Sequence, residues 1–132
     1  MIGLDTNVLV RYVVQDDTTQ AEAAGRLIEG QCTRESPGLV SGIVLAEMVW
    51  VLRRAYGYEK DLVVTVLRQI LQTAELTVED PAVAWAALSD FETGGADLAD
   101  CLIAHGNHAA GCNATYTFDK KAARGRHSKL VE

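Results

Sequence analysis

Residues 1–14 of the chain read MIGLDTNVLVRYVV, and this stretch decides the fold. Residues 1–4 are apolar and predict a short strand, Asp5 follows, and the apolar run 8–14 predicts a helix. The alternation of a short apolar strand with a helix continues along the chain. Such alternation predicts a parallel sheet covered by helices on both faces.

Four more strands and five more helices are predicted from apolar periodicity, Pro and Gly positions and N-cap residues. The strands fall at 39–41, 76–78, 114–118 and, at an edge, 129–131; the helices fall at 19–29, 43–55, 59–73, 81–92 and 97–108. A chain of 132 residues suits one core. We therefore expect one α/β domain over residues 1–132, with three α/β/α layers and a central, mostly parallel sheet of four or five strands.

The charged residues are distributed unevenly along the chain. The formal net charge of −6 disfavours a simple nucleic-acid binder, and no Lys or Arg occurs between Gln69 and Asp119. Basic residues then crowd the end of the chain, at Lys120, Lys121, Arg124, Arg126 and Lys129. Two interpretations stay open: a solvated acidic face beside a basic tail, or an acidic metal pocket with a basic rim for phosphates.

The sequence also bears on the compartment. No apolar run approaches the length of a membrane span, and Asp5 interrupts the pattern of a secretory signal. The three cysteines lack paired CxxC spacing, which fits a reducing compartment. We expect a cytoplasmic protein with no membrane partner.

Four carboxylates stand out by their placement. Asp5 and Asp119 follow predicted strands, where each has an ordinary role as a helix cap or turn residue. Glu47 is the only charge in the apolar run 43–52, which predicts a helix buried on every side and a carboxylate that needs a partner. Asp100 repeats this pattern, and Asp97 lies one helical turn before it.

Carboxylates at the carboxyl ends of parallel strands and in apolar helices indicate a hard divalent cation. Mg²⁺ and Mn²⁺ prefer oxygen ligands, activate water and let an acidic pocket accept a polyanion. Asp97 is either an N-cap or an auxiliary ligand. We predict that Asp97 caps its helix with its side chain and that Asp100 is the metal ligand.

Four motifs in order resemble a PIN domain, and VapC toxins in particular, over essentially the whole chain. They are Leu4–Asp5–Thr6–Asn7, Glu47 within an apolar helix, residues 95–104 (GADLADCLIA) and residues 117–122 (TFDKKA). Cys101 stands where many relatives have Ala.

The resemblance implies a PIN-like fold and an endoribonuclease that uses Mg²⁺ or Mn²⁺ and leaves a 3′-hydroxyl and a 5′-phosphate. It implies a homodimer, inhibition by a cognate VapB-type antitoxin and contact with operator DNA only through that antitoxin. Carried onto this sequence, the metal-binding and catalytic set is Asp5, Glu47, Asp100 and Asp119, with Thr6, Asn7 and Thr117 as supporting polar groups. The basic candidates for RNA backbone contact are Lys120, Lys121, Arg124 and Arg126.

Other functions fit the residues less well. A non-catalytic PIN-like module that binds RNA or protein, and a metal phosphatase or DNA nuclease using the same acids, remain alternatives. Zinc at Cys101, His105, His108 and Cys112 is disfavoured, because one helix rarely supplies four ligands to one ion. We expect His105 to be partly exposed, and Trp50 and Trp85 to lie in the core or at a dimer interface.

Overall fold

The computed structural model describes residues 1–132, which form five strands and seven helices. The strands are Ile2–Gly3 (β1), Gly38–Val40 (β2), Leu76–Val78 (β3), Thr115–Thr117 (β4) and Ser128–Leu130 (β5). The helices are Thr6–Val14 (α1), Thr18–Gln31 (α2), Gly42–Arg54 (α3), Lys60–Gln72 (α4), Pro81–Thr93 (α5), Leu98–Ala109 (α6) and Lys120–Ala123 (α7). Met1–Glu79 and Asp80–Glu132 are two compact units of this chain.

The first unit contains a three-stranded sheet in the order β1-β2-β3, and every strand pair is parallel. The register places Gly3 opposite Leu39, and Val40 opposite Val78. Helix α1 packs on α2 and α3, and α3 packs on α4. The apolar side chains that fill this core include Leu9, Val40, Met48, Leu52, Val63 and Leu67.

Helix α3 has one buried face and one exposed face, so the prediction of a helix buried on every side is wrong. Its buried residues are Val44, Leu45, Met48, Val49 and Leu52. Ile43 and Trp50 are 74% and 62% exposed, and Glu47 is exposed between them. The spacing of 43, 47 and 50 places these three residues on one stripe of the helix, which the apolar composition concealed. Trp50 therefore does not belong to the core, and Trp85 is also exposed.

The second unit is built on the packing of α5 against α6. Phe91 and Leu88 of α5 and Leu98, Cys101 and Ala104 of α6 are buried. Strand β4 pairs with β5 in parallel, and α7 lies between them in the chain and contacts both. We did not expect α7, since Asp119 was interpreted as a strand-end or turn residue. It is the N-cap of this short helix.

All strand pairs in both units are parallel, and helices separate consecutive strands along the chain. The predicted α/β class with parallel strands is therefore confirmed, with five strands in a three-stranded and a two-stranded sheet. Among the seven helices there is none with the length and apolar character needed to cross a membrane.

Candidate active site

Three polar residues mark the carboxyl edge of the first sheet: Asp5 after β1, Ser41 after β2 and Glu79 after β3. Backbone hydrogen bonds extend the strand register to this edge, because Leu4 N donates to Leu39 O and Glu79 N donates to Val40 O. Asp5 occupies the N-cap position of α1, but its side chain accepts no capping hydrogen bond and is exposed. Its carboxylate is thus not committed to holding the helix.

Thr6 connects the start of α1 to Glu47. Its Oγ1 donates to Glu47 Oε1 at 2.8 Å, and the threonine is only 6% exposed. The buried hydroxyl of Thr6 therefore fixes one oxygen of the exposed Glu47 carboxylate on α3. Asn7, the other predicted supporting residue of this motif, is exposed.

Glu79 was not among the predicted site residues, although it lies at the same sheet edge as Asp5. Its Oε1 accepts from the backbone N of Gly42 at 3.1 Å, and Ser41 Oγ accepts from Val44 N at 3.2 Å. Both side chains thus cap the first turn of α3, the helix that carries Glu47. The rule that singled out Asp5 and Asp119, an acid directly after a strand, also applies to Glu79 after β3.

Three acids influence one another in the second unit. Asp100 lies in the first turn of α6 and is half-buried, Asp97 is the N-cap of that helix, and Asp119 is the N-cap of α7. Burial raises the pKa of Asp100, the negative charges of Asp119 and Asp97 raise it further, and a hydrogen bond from the Asp97 backbone opposes the rise. This is the electrostatic condition that a bound cation would relieve.

The predicted side-chain cap by Asp97 is wrong. Asp97 has the extended backbone of an N-cap residue, but its carboxylate accepts no capping hydrogen bond and is exposed. Instead, the carboxylate of Asp100, three residues after the N-cap, accepts a hydrogen bond from the Asp97 backbone.

Asp119 is held by its own helix. Its Oδ1 accepts from Lys121 N at 2.8 Å and from Ala122 N at 3.2 Å, while its backbone N donates to Thr117 Oγ1 at 3.0 Å. Thr117 thus contacts the backbone of Asp119 through its hydroxyl oxygen. The capping bonds use one carboxylate oxygen, so Oδ2 is left for another contact.

A histidine cluster of the second unit was missed by sequence reasoning. His105 is buried rather than partly exposed, and its Nε2 donates to Asp90 Oδ2 at 2.5 Å. His127 stands edge to face with His105 and stacks on His108. Burial lowers the pKa of His127, and His108, His105 and Arg126 lower it further against the opposing charge of Asp90. No local pattern announces these contacts, because the partners lie on different elements.

Three of the four basic candidates line one pocket of the second unit, namely Lys121, Arg124 and Arg126, and Asp100 lines it as well. Lys120 is exposed and does not line it.

The proposed ligands fit a divalent cation by their donor type, and the structure does not gather them into a closed coordination site. Within neither unit do three or more His, Cys, Asp or Glu side chains form a group that could hold a metal ion. The predicted ligands are carboxylates, which is the donor type that Mg²⁺ and Mn²⁺ prefer, and open carboxylate sites suit Mg²⁺ because it keeps several waters. The donor chemistry therefore fits this ion.

The chain was compared with known proteins. The model of the PIN domain family matches residues 2–127, which is nearly the whole chain. A search of curated proteins and a search of solved structures each gave no match. The chain belongs to the PIN domain family. This membership confirms the predicted PIN-like α/β fold, and proteins of this family are generally nucleases that bind divalent metals.

Proposed function

We propose that this protein is an endoribonuclease dependent on Mg²⁺ or Mn²⁺, and that it acts as the toxin of a VapC-type toxin–antitoxin pair. The observation that carries the proposal is the half-buried Asp100 beside Asp97 and Asp119, in a chain that belongs to a family of nucleases. An acid crowded by two other acids is destabilising unless it serves a ligand, and a cation is the ligand that such a group favours.

Asp5, Glu47, Asp100 and Asp119 are the proposed metal ligands. When bound, the ion lowers the pKa of water and offsets negative charge on the phosphodiester. The chain positions its ligands through neighbouring hydroxyls: Thr6 donates to Glu47, and Thr117 accepts from the backbone N of Asp119. Lys120, Lys121, Arg124 and Arg126 are the proposed contacts for the RNA backbone.

Inhibition by an antitoxin belongs to the same proposal. No Lys or Arg occurs between Gln69 and Asp119, so the chain itself offers its acids few cationic partners in that region. An arginine of an antitoxin would pair with carboxylates in fork geometry and compete with the metal. The proposed toxin is a homodimer in the cytoplasm. Trp50 and Trp85 were predicted to lie in the core or at a dimer interface. Both are exposed, so we propose that they contribute to the dimer interface.

Metal dependence is the test. Purified protein should cleave single-stranded RNA in Mn²⁺, lose cleavage in excess EDTA and regain it when Mn²⁺ is restored. Mn²⁺ should also raise the melting temperature, because binding to the folded state alone stabilises it by mass action. Full cleavage in excess EDTA would contradict the proposed metal-dependent mechanism. Metal binding without any cleavage would favour the non-catalytic alternative, and cleavage restricted to DNA or phosphomonoesters would favour the other enzyme classes.

A further inference from the structure

A pocket of about 310 Å³ lies in the second unit beside Asp100. Ligand pockets begin at roughly this volume, which exceeds what a phosphate group alone fills. Small apolar side chains form part of its wall, and they are Ala96, Cys101, Ala104 and Ala122. The remainder of the wall is polar and carries the groups described next.

Lys121, Arg124 and Arg126 line this pocket, and none of them forms an ion pair within the chain. Two carboxylates also line the pocket, but Asp90 is hydrogen-bonded to His105 and Asp100 forms no ion pair with the three cations. Three cations against these two carboxylates leave a positive balance that favours an anionic ligand. The turn that carries Arg124 and Arg126 is tied back on itself, since Gly125 N donates to Ala122 O and Ser128 N donates to Gly125 O. The backbone of this turn is therefore held by two hydrogen bonds of its own.

Two imidazoles with fixed orientation line the same pocket. His105 donates from Nε2 to Asp90 Oδ2, which fixes the ring and leaves Nδ1 as the other polar atom. The His127 ring lies 3.7 Å from His108, nearly parallel to it, and His108 is not part of the pocket lining. His108 thus supports His127 from outside. A structural tie between α5 and α6 would explain the Asp90–His105 pair, but not the three unpaired cations in the same cavity.

We propose that this pocket binds one nucleotide unit of the RNA substrate. Lys121, Arg124 and Arg126 bind its phosphate, and the imidazoles of His105 and His127 contact the nucleoside against the alanine-rich wall. The assignment rests on the proposed function for the identity of the ligand as RNA. Because Asp100 lines the pocket, the bound unit is a neighbour of the phosphodiester that is cleaved.

The test is the binding of small probes to metal-free protein in EDTA, followed by NMR shifts of the Gly95 and Gly125 amides, which line the pocket. Adenosine, cytidine, guanosine and uridine 5′-monophosphates are titrated beside adenosine and inorganic phosphate. At least one monophosphate should bind at least about tenfold more tightly than adenosine or phosphate, because both halves of the ligand contribute. Equal binding of inorganic phosphate and every nucleotide would overturn the assignment.

Variants locate the binding. Arg124→Gln combined with Arg126→Gln should weaken nucleotide binding about tenfold or more, since two charge-assisted contacts are lost. His127→Gln should weaken the nucleotide more than inorganic phosphate. Arg34→Gln makes the same charge change at an exposed position of the other unit and should bind like wild type. Unchanged binding in the double variant would place the ligand elsewhere.

RNA cleavage in Mn²⁺ separates this inference from the proposed function. The double variant should show a larger rise in KM than fall in kcat. Wild-type protein that binds nucleotides through these residues but cleaves no RNA would refute the nuclease and leave the pocket intact. Wild-type protein that cleaves RNA, with nucleotide binding indifferent to the double substitution, would refute the pocket and leave the nuclease intact.

Discussion

Asp100 is the residue at which structure and proposed chemistry meet most directly. In the sequence it is an acid within an apolar helix. In the structure burial raises its pKa, and the negative charges of Asp119 and Asp97 raise that pKa further. Without a cation, the charged form of this carboxyl is disfavoured in the folded protein. A residue placed at such a cost to stability is typical of a functional site.

Asp100→Asn should therefore abolish RNA cleavage and raise the melting temperature of the metal-free protein at neutral pH. A folded-state pKa above the ordinary value of 3.8 means that stability is fully present below that value and is lost as pH rises through the folded pKa. The gain from Asn should thus be absent near pH 3 and appear as pH rises. Thermal melts in EDTA across this range measure it, with cleavage at saturating Mn²⁺ alongside.

Two other acids serve as controls for that prediction. Burial alone would raise the pKa of Asp16, but a hydrogen bond from Tyr56 and the charge of Arg11 outweigh this effect and lower the pKa. Asp16→Asn should therefore lower the melting temperature at neutral pH.

Asp97→Asn should keep measurable cleavage and cost little stability, because the Asp97 side chain makes no capping hydrogen bond. If Asp97→Asn is inactive and Asp100→Asn is active, the two assignments are reversed.

Thr6 offers a second prediction at the scale of one residue. Thr6→Val removes the hydroxyl that donates to Glu47 and keeps the buried shape, so stability should change by about 1 kcal/mol or less while cleavage falls about tenfold. Thr6→Ser restores the donor and should recover most of the activity. Equal activity of the Val and Ser variants would show that the hydrogen bond has no part in cleavage.

At the scale of elements, eleven of the twelve helices and strands were predicted from the sequence, and only α7 was missed. The predictions failed where the surroundings of a side chain depend on the three-dimensional fold. Helix α3 is apolar throughout, so composition suggested burial on every side, whereas Ile43, Glu47 and Trp50 share an exposed stripe. Helix α7 is too short for periodicity to reveal it. The buried pair of Asp90 and His105 joins two helices and leaves no local pattern.

Helix α7 allows the structural and chemical roles of Asp119 to be separated. Its Oδ1 caps two backbone N–H groups of that helix. Asp119→Asn and Asp119→Ser both keep a capping oxygen and should retain stability while losing cleavage, whereas Asp119→Ala should lose cleavage and about 1 kcal/mol of stability. Urea denaturation and cleavage in Mn²⁺ measure the two effects. An active Asn or Ser variant would reduce Asp119 to a cap.

At the scale of the whole molecule, the net charge of −6 hides two separate regions. All five cations of the second unit lie within residues 120–129, while no Lys or Arg occurs between Gln69 and Asp119. This separation was visible in the sequence and left two interpretations open. In the structure three of the cations line one pocket with Asp100, which is the arrangement that the proposed RNA contact requires. The sequence alone could not predict the fold of the turn that carries Arg124 and Arg126 and places them at the same pocket as Lys121.

The charge separation predicts how RNA binding responds to salt. In EDTA the acids repel RNA, so the affinity that remains should come from the basic segment. Each phosphate neutralised contributes about 0.7 to the slope of log affinity against log salt for single strands, so the one phosphate held by the three pocket cations predicts a slope near −0.7. Removing Arg124 and Arg126 together should make the slope shallower than that of the wild type, and Arg34→Gln should leave it unchanged. Fluorescence anisotropy with a short labelled RNA between 50 and 300 mM salt measures these slopes. A slope that does not respond to the double substitution would mean that the RNA backbone is held by other residues, and the basic segment would then be a solvated tail.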